Sequence, residues 1–263
     1  MPRVAIGIEY DGRRFCGWQR QDHALSVQQL VEHAASRVAD EPVVVHAAGR
    51  TDAGVHALGQ VAHFETSAER ERRSWLLGIN SNLPPDISIS WVQETEPEFH
   101  ARYSAEARTY QYIILNQPSR SALWAERAWW LHATLDVESM RSAARRLLGE
   151  HDFSAFRAAQ CQARTPRRNL QVLEIGERGS FLCFTVRANA FLHHMVRNIV
   201  GSLLRIGRGE ESPEWLADVL ASRDRSRAGM TAPACGLCLV RAHYPVKFAI
   251  PAPEVPFGLP RDL

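Results

Sequence analysis

Lysine is almost missing from this 263-residue chain: Lys247 stands alone among 31 basic residues, and the other thirty are arginine. Schiff-base catalysis needs a lysine amine, and a phosphate-binding P-loop needs Gly-Lys-Ser/Thr after its glycines. Lys247 sits in Pro245-Val246-Lys247-Phe248 near the C-terminus, so neither chemistry fits. Long apolar runs are missing as well. No window of about 18 hydrophobic residues exists, which argues against a membrane-spanning helix, and Met1 leads straight into a charged, strand-like segment rather than the apolar stretch of a signal peptide. A cytoplasmic protein without membrane attachment is expected. Cysteine is sparse and odd in number, at five, which favours reduced thiols over a disulfide framework. Cys235-Gly236-Leu237-Cys238 has the spacing of a metal knuckle but lacks a second Cys/His pair, and a buried strand accounts for it equally well, so no metal is expected. Excess charge of either sign is missing too, since 31 basic against 29 acidic residues leaves +2.

What is present is a globular composition, 45% hydrophobic and 23% charged with mean hydropathy −0.25, carrying an unusual load of arginine. Guanidinium groups grip phosphate and carboxylate bidentately and stack on bases, which suits nucleic-acid binding. A coding bias toward arginine explains the same count without any function.

Hydrophobic periodicity places the elements. Val4, Ile6 and Ile8 alternate with small or polar residues, a half-buried strand ended by Asp11-Gly12. Ser26 and Gln29 form a capping-box pair opening a helix whose apolar face is Val27, Leu30, Val31, Ala34, Ala35 and Val38. Strands are expected over 43–47, 60–65 and 87–92, with a helix over 69–80 ended by Pro84-Pro85. Further on, 109–115 reads as a strand, 137–148 as a helix, and 170–175 with 181–186 as a hairpin around Arg178-Gly179. A long helix is expected over 190–206, another after Ser212-Pro213-Glu214 with serine at the N-cap and proline at the first helical position, and a last strand over 236–242. The alternation points to an α+β fold in which two sheets meet over a cleft.

The densest run of polar residues and glycine is Ala48-Gly49-Arg50-Thr51-Asp52-Ala53-Gly54-Val55-His56-Ala57. Glycines on both sides let a short loop turn sharply and hold Asp52 at a rim, while Arg50 favours its ionised form. An ionised, oriented carboxylate is a nucleophile or a base. A turn in which Asp52 caps the backbone and Arg50 is its ion-pair partner accounts for the pattern as well.

This loop resembles the catalytic loop of the tRNA pseudouridine synthases of the A family, which isomerise uridines in the anticodon arm. The likeness includes Glu9-Tyr10-Asp11-Gly12 with Phe15, Gly17-Trp18-Gln19-Arg20-Gln21, Val27-Gln28, Gly78-Ile79-Asn80 and Leu83-Pro84. It continues through Phe99-His100-Ala101-Arg102-Tyr103, Tyr110-Gln111-Tyr112, Asp152-Phe153 with Phe156, and Arg164-Thr165-Pro166. It ends with Asn189-Ala190-Phe191, His193-His194-Met195-Val196-Arg197-Asn198 and Gly236-Leu237, spanning the chain to about Pro245.

The resemblance implies the pseudouridine synthase fold: two RRM-like α/β halves with antiparallel or mixed sheets merging around a central RNA-binding cleft. Residues 1–104 would form an N-terminal subdomain carrying the catalytic loop, 105–245 a C-terminal subdomain completing the cleft, and 246–263 a proline-rich tail. It implies isomerisation of uridine to pseudouridine at positions 38–40 of the tRNA anticodon stem-loop, with the target base flipped out of its stack. Bond breakage and re-formation leave no net redox change and no departing group, so neither cofactor nor metal is needed.

By the same resemblance Asp52 is the catalytic group, a nucleophile toward the ribose anomeric carbon or the ring, or a base toward a ribose proton; Tyr110 stacks on the flipped base, and Arg50 and Arg197 complete the catalytic set. For Tyr112 core packing is the stronger reading. The RNA-binding segments are Phe99, His100, Ala101, Arg102 and Tyr103, and Gln160, Cys161, Gln162, Ala163 and Arg164, the latter inside a run of arginines at 157, 164, 167 and 168. His193 and His194, as adjacent helical residues, point about 100° apart and read as packing or RNA-facing groups rather than a chelating pair. The partners implied are tRNA and a second copy of the chain. A glycosidase using Asp52 at the same anomeric carbon and a non-catalytic RNA-binding module are the competing functions; glycosidases commonly pair two carboxylates, and the loop offers Asp52 alone.

Overall fold

The computed structural model describes residues 2–253. They form strands β1 (Arg3–Tyr10), β2 (His46–Ala47), β3 (His56–Glu65), β4 (Ile87–Thr95), β5 (Ala107–Asn116), β6 (Trp129–Leu131), β7 (Gly149–Asp152), β8 (Arg167–Arg178), β9 (Phe181–Ala188) and β10 (Leu237–His243). The helices are α1 (Val27–Ala39), α2 (Arg72–Ser81), α3 (Val137–Arg145), α4 (Met195–Gly207) and α5 (Trp215–Ser222). Two compact units result, one from Met1–Ala107 with the segment that begins at Cys238, the other from Arg108–Leu237. Of the expected tail over 246–263, Val246–Phe248 is a short helical turn, and residues from 254 onward lie outside the described residues.

In the first unit β1 runs antiparallel to β3 on one side (Ile6 opposite Ala62) and to β4 on the other (Ile6 opposite Val92). The far edge of β3 is covered at one end by β2, through His46 opposite His63, and at the other by parallel β10, through Leu239 opposite Ala57. The expected half-buried β1 is instead buried on both faces. Val4, Ile6 and Ile8 are covered as the alternation requires, and Ala5, from the other face, packs with Val61, Phe99, Ala101, Ala242 and Phe248. Small residues there leave room for large side chains brought from distant segments.

Ser26 caps α1 by accepting the Gln29 N–H, and Asp40, at φ 60°, closes it in the left-handed conformation. The strand expected over 43–47 shrinks to His46–Ala47. The reason is local: the Val43 N–H donates to Ser36 Oγ at 2.9 Å and the Val45 N–H to Glu32 Oε1 at 3.1 Å, so helix side chains take the donors that a ladder would use. Glu32 is buried but fully engaged, accepting also from Gln28 Nε2 and Arg20 Nη1, as a buried charge must be.

In the second unit β5 pairs antiparallel with β9 (Tyr110 opposite Val186) and parallel with short β6, while β8 joins β9 in the expected hairpin and β7 borders β8. Gly179 takes a positive φ in that turn. Strands β6 and β7, of three and four residues, are too short to show a period of two in the sequence.

Helix α4 starts at Met195, five residues later than expected. Asn189 Oδ1 accepts the N–H groups of both Ala190 and Asn169, and His194 adopts φ 61°, so 189–194 is a bent loop. His193 and His194 therefore precede the helix, with ring centroids 4.0 Å apart, and the 100° argument for them falls. The serine cap expected for α5 is likewise displaced: Ser212-Pro213-Glu214 closes a turn in which the Trp215 N–H donates to the Ser212 carbonyl, and Glu214 stands at the cap.

Replacing Glu32 by Ala strands the Val45 N–H and is expected to lower the unfolding free energy by about 2 kcal/mol. Glu32→Gln, which keeps an acceptor, loses less. Urea unfolding of both variants measures the difference, and equal losses would remove Glu32 Oε1 from this role.

Candidate active site

Asp52 lies in the loop between β2 and β3, half-buried, with Arg50 exposed beside it and Thr51 buried between them. A half-buried carboxylate next to a buried residue needs a fixed backbone to be held in one place. Here it is fixed from several directions. The Thr51 hydroxyl shares a buried 2.7 Å hydrogen bond with Tyr10 Oη, and its carbonyl accepts the Trp18 N–H at 3.1 Å. The Asp52 carbonyl accepts the Val55 N–H at 3.1 Å, and Gly54, at φ 77°, donates to the Phe15 carbonyl. Gln60 Nε2 holds the Gly49 carbonyl at 2.7 Å, and Ala48 N–H returns to Val61.

Those made by Tyr10, Phe15 and Trp18 come from the opening segment 10–18, which lies directly against the loop. A Cβ on Gly12 would stand 2.1 Å from the Val55 carbonyl oxygen, and one on Gly17, at φ 85°, 2.5 Å from that of Thr51. Glycine is required at both. Just before Gly12, Asp11 lies 3.3 Å from His56 Nδ1, the nitrogen that accepts the Gly12 N–H. Burial pushes the Asp11 carboxyl up, but the Arg13 hydrogen bonds and the His56 and Arg13 charges outweigh it and hold the group below the usual range.

The segment Phe99 to Tyr103 belongs to the same unit. Phe99 and Ala101 are buried, whereas Arg102 and Tyr103 are exposed, with the Arg102 guanidinium 5.6 Å from the Tyr103 ring centre. Its backbone is clamped: Arg3 donates to the Pro97 and Phe99 carbonyls, Tyr244 Oη donates to the Ala101 carbonyl at 2.7 Å, and the Phe99 ring packs on Tyr244 and Phe248. A cluster of His46, His63 and His100 completes the mount. His63 Nδ1 accepts the Ala101 N–H at 3.2 Å, and His100 Nδ1 accepts that of Arg102 at 3.1 Å. Burial, with the positive charges of His100, Arg3 and His46, pulls His63 down to about 3, and burial lowers His100 as well.

In the second unit Tyr110 is largely buried on β5, edge-on to Phe191 at 5.1 Å. Phe191 lies inside the quoted motif, yet nothing in the sequence pairs it with Tyr110, because the two are brought together by the bent loop before α4. Tyr112, two residues along β5, is fully buried and donates its hydroxyl to the Pro233 carbonyl at 2.8 Å; burial and Cys235 raise its ionisation well above the ordinary tyrosine range. It is a core residue. Arg197 is half-buried at the start of α4, with Nε donating to the Ala232 carbonyl at 2.7 Å.

The arginine run divides sharply. Arg157 donates to the Cys161 and Ala163 carbonyls, and Arg168 is buried with its guanidinium on the Thr165 and Arg167 carbonyls. Both build the loop. Arg164 and Arg167 are exposed, as is Gln162 between the half-buried Cys161 and Ala163. Gln160 is exposed too, and Cys161 Sγ accepts the His193 N–H at 3.4 Å. Of the two knuckle cysteines, Cys235 lies in a short helical turn and Cys238 on β10.

The chain is similar to known proteins over nearly its full length. A family model described as tRNA pseudouridine synthase matches residues 6–104 and 143–245. The chain belongs to the tRNA pseudouridine synthase family. This places the synthase among isomerases. Among its relatives, tRNA pseudouridine synthase A of Hydrogenovibrio crunogenus is 53% identical over 251 residues, covering 95% of this chain and 96% of the relative. Those of Methylococcus capsulatus and Aeromonas hydrophila are 54% and 52% identical, covering 99% and 97% of this chain and 96% and 94% of the relatives. Among the described residues of the synthase, no helix is long and apolar enough to cross a membrane.

Because His63 is held far below its ordinary value of 6.5, unfolding takes up a proton as pH falls below that value. The stability of the synthase is therefore full above about pH 6.5 and declines toward pH 3, by up to about 1.4 kcal/mol per pH unit from this group. His63→Gln, which keeps an acceptor for the Ala101 N–H, should flatten the decline in chemical unfolding measured between pH 7 and 4. An unchanged slope would show that the cluster does not set it.

Proposed function

We propose that the synthase converts uridine to pseudouridine in the anticodon arm of tRNA, at positions 38–40, with Asp52 as its nucleophile. The observation that carries this reading is the anchored Asp52 loop: a carboxylate at the rim, a buried Thr51–Tyr10 bond beneath it, and glycine contacts behind it. The reaction breaks the glycosidic N1–C1′ bond, turns the uracil, and joins its C5 to C1′. A positioned carboxylate is the group such chemistry asks of the protein, since nothing is oxidised and nothing leaves but the C5 proton, which goes to solvent as N1 takes one up.

The uridine has to leave its stack to be reached. Tyr110, braced by Phe191, would stack on the flipped ring, while Arg50 and Arg197 would set the charge around the carboxylate and the sugar-phosphate. Within the RNA-binding segments the exposed groups, Arg102 and Tyr103 in one and Gln160, Gln162 and Arg164 in the other, are those that would touch RNA; Phe99 and Ala101 would act by holding the first segment in shape. We further propose that the synthase works in the cytoplasm as a homodimer, as the family resemblance supports.

With tRNA tritiated at uracil C5, the synthase is expected to release tritium while the RNA mass stays constant. Asp52→Ala should lower release by about a thousandfold or more and still bind tRNA. Loss of uracil from the RNA would instead mark a glycosidase, and binding without release by the unaltered chain a non-catalytic module.

The division of the arginine run has its own test. Replacing Arg164 and Arg167 together by Ala should weaken tRNA binding and make the dependence of log K on log salt shallower by about 0.7–0.9 for each lost phosphate contact. An unchanged slope would show that neither contacts phosphate.

A further inference from the structure

A strap over residues 228–233 lies against α4, and the hydrogen bonds that hold it converge on Arg197. Ala232 brackets that residue from both sides: its N–H donates to the Arg197 carbonyl at 3.1 Å and its own carbonyl accepts Arg197 Nε at 2.7 Å. The direction in which the guanidinium leaves the helix thus follows from where Ala232 sits. Three anchors place it. The Gly229 N–H donates to Ser202 Oγ at 2.8 Å, and that hydroxyl donates in turn to the Asn198 carbonyl at 2.8 Å. Pro233 receives the Tyr112 hydroxyl at 2.8 Å. Between these, Thr231 Oγ1 donates to Asn198 Oδ1 at 2.7 Å.

Asn198 is the hub of this arrangement. It is fully buried, its Nδ2 donates to the Phe156 carbonyl at 2.8 Å, and its Oδ1 accepts from Arg225 Nη2 at 3.0 Å as well as from Thr231. Arg225 Nη2 also donates to Thr231 Oγ1 at 3.1 Å, so the three side chains form a closed triangle. Burial lowers the Arg225 guanidinium, and among the described residues its hydrogen bonds go to amide, hydroxyl and carbonyl oxygens rather than to a carboxylate. A charged group held there on neutral acceptors costs desolvation that simple packing does not require. What it secures is the distance between α4 and the strap.

We propose that Asn198, Thr231 and Arg225 are positioning residues for the reaction: they fix the strap so that Ala232 holds Arg197 in one direction. The inference rests on the place of Arg197 in the active site proposed above. None of the three touches substrate in this account. They act through Arg197, and their loss should appear in the chemical step rather than in tRNA affinity.

The test uses the full chain and steady-state tritium release from C5-labelled tRNA. Thr231→Val keeps the shape and removes the hydroxyl; kcat should fall about tenfold, as displaced catalytic groups do, with KM within about twofold. Thr231→Ser should restore kcat. Arg225→Gln, a second route to the same triangle, should lower kcat in the same way. In an Arg197→Ala background, Thr231→Val should have no further effect on kcat. An unchanged kcat in both Thr231→Val and Arg225→Gln overturns the inference, as does a loss that serine does not rescue or one that persists undiminished without the Arg197 side chain. If Arg197→Ala alone keeps full kcat, the catalytic place of Arg197 falls and the inference falls with it. If Arg197→Ala is impaired while the Thr231 and Arg225 variants are not, only the positioning role is lost.

Discussion

The close approach of the opening segment to the Asp52 loop is the constraint on which the proposed site depends. Gly12 and Gly17 let residues 10–18 lie against the backbone of 51–55 at distances that a Cβ would forbid. That approach brings Tyr10 Oη within reach of Thr51, turns Trp18 and Phe15 toward loop carbonyls and amides, and leaves Asp52 at the rim. Burying Tyr10 and Thr51 without their mutual bond would cost about 1–3 kcal/mol for the stranded hydroxyl. The carboxylate therefore inherits its orientation from contacts made by other residues, several of them some forty positions earlier in the chain.

Much of this was readable in advance, for identifiable reasons. The capped helix α1, the β8–β9 hairpin and the buried β5 follow from periodicity and turn chemistry, which act over a few residues. The Asp52 loop was visible because glycine, a carboxylate and a guanidinium crowd into ten positions. What escaped was set by side chains that compete with the ladder or the helix for backbone groups. Val43 and Val45 look like a strand until Ser36 and Glu32 take their N–H groups, and 190–194 looks helical until Asn189 takes the first one. The partnership of Tyr110 with Phe191 was hidden for the same reason: it needs that loop to bend.

The abundance of arginine has a double meaning that composition could not separate. Arg157, Arg168 and Arg225 direct their donors at carbonyls or amides inside the second unit, and Arg3 does so inside the first. These guanidiniums act as multi-pronged backbone clamps, a use for which their planar fork is better shaped than an ammonium. Arg102, Arg164 and Arg167 face outward. A count of basic residues therefore overstates the surface offered to a polyanion.

Strand β10 carries a consequence for how the molecule is made. It supplies the parallel partner of β3, matching Leu239 to Ala57 across some 180 positions of sequence, while everything between Arg108 and Leu237 belongs to the other unit. During synthesis the later unit has its chain complete first, and the earlier one waits with part of the β3 edge open until β10 has emerged. Such long-range closure raises contact order and slows folding, and an open edge on a nascent sheet invites association with other chains. The unit that holds Asp52 is begun first and finished last.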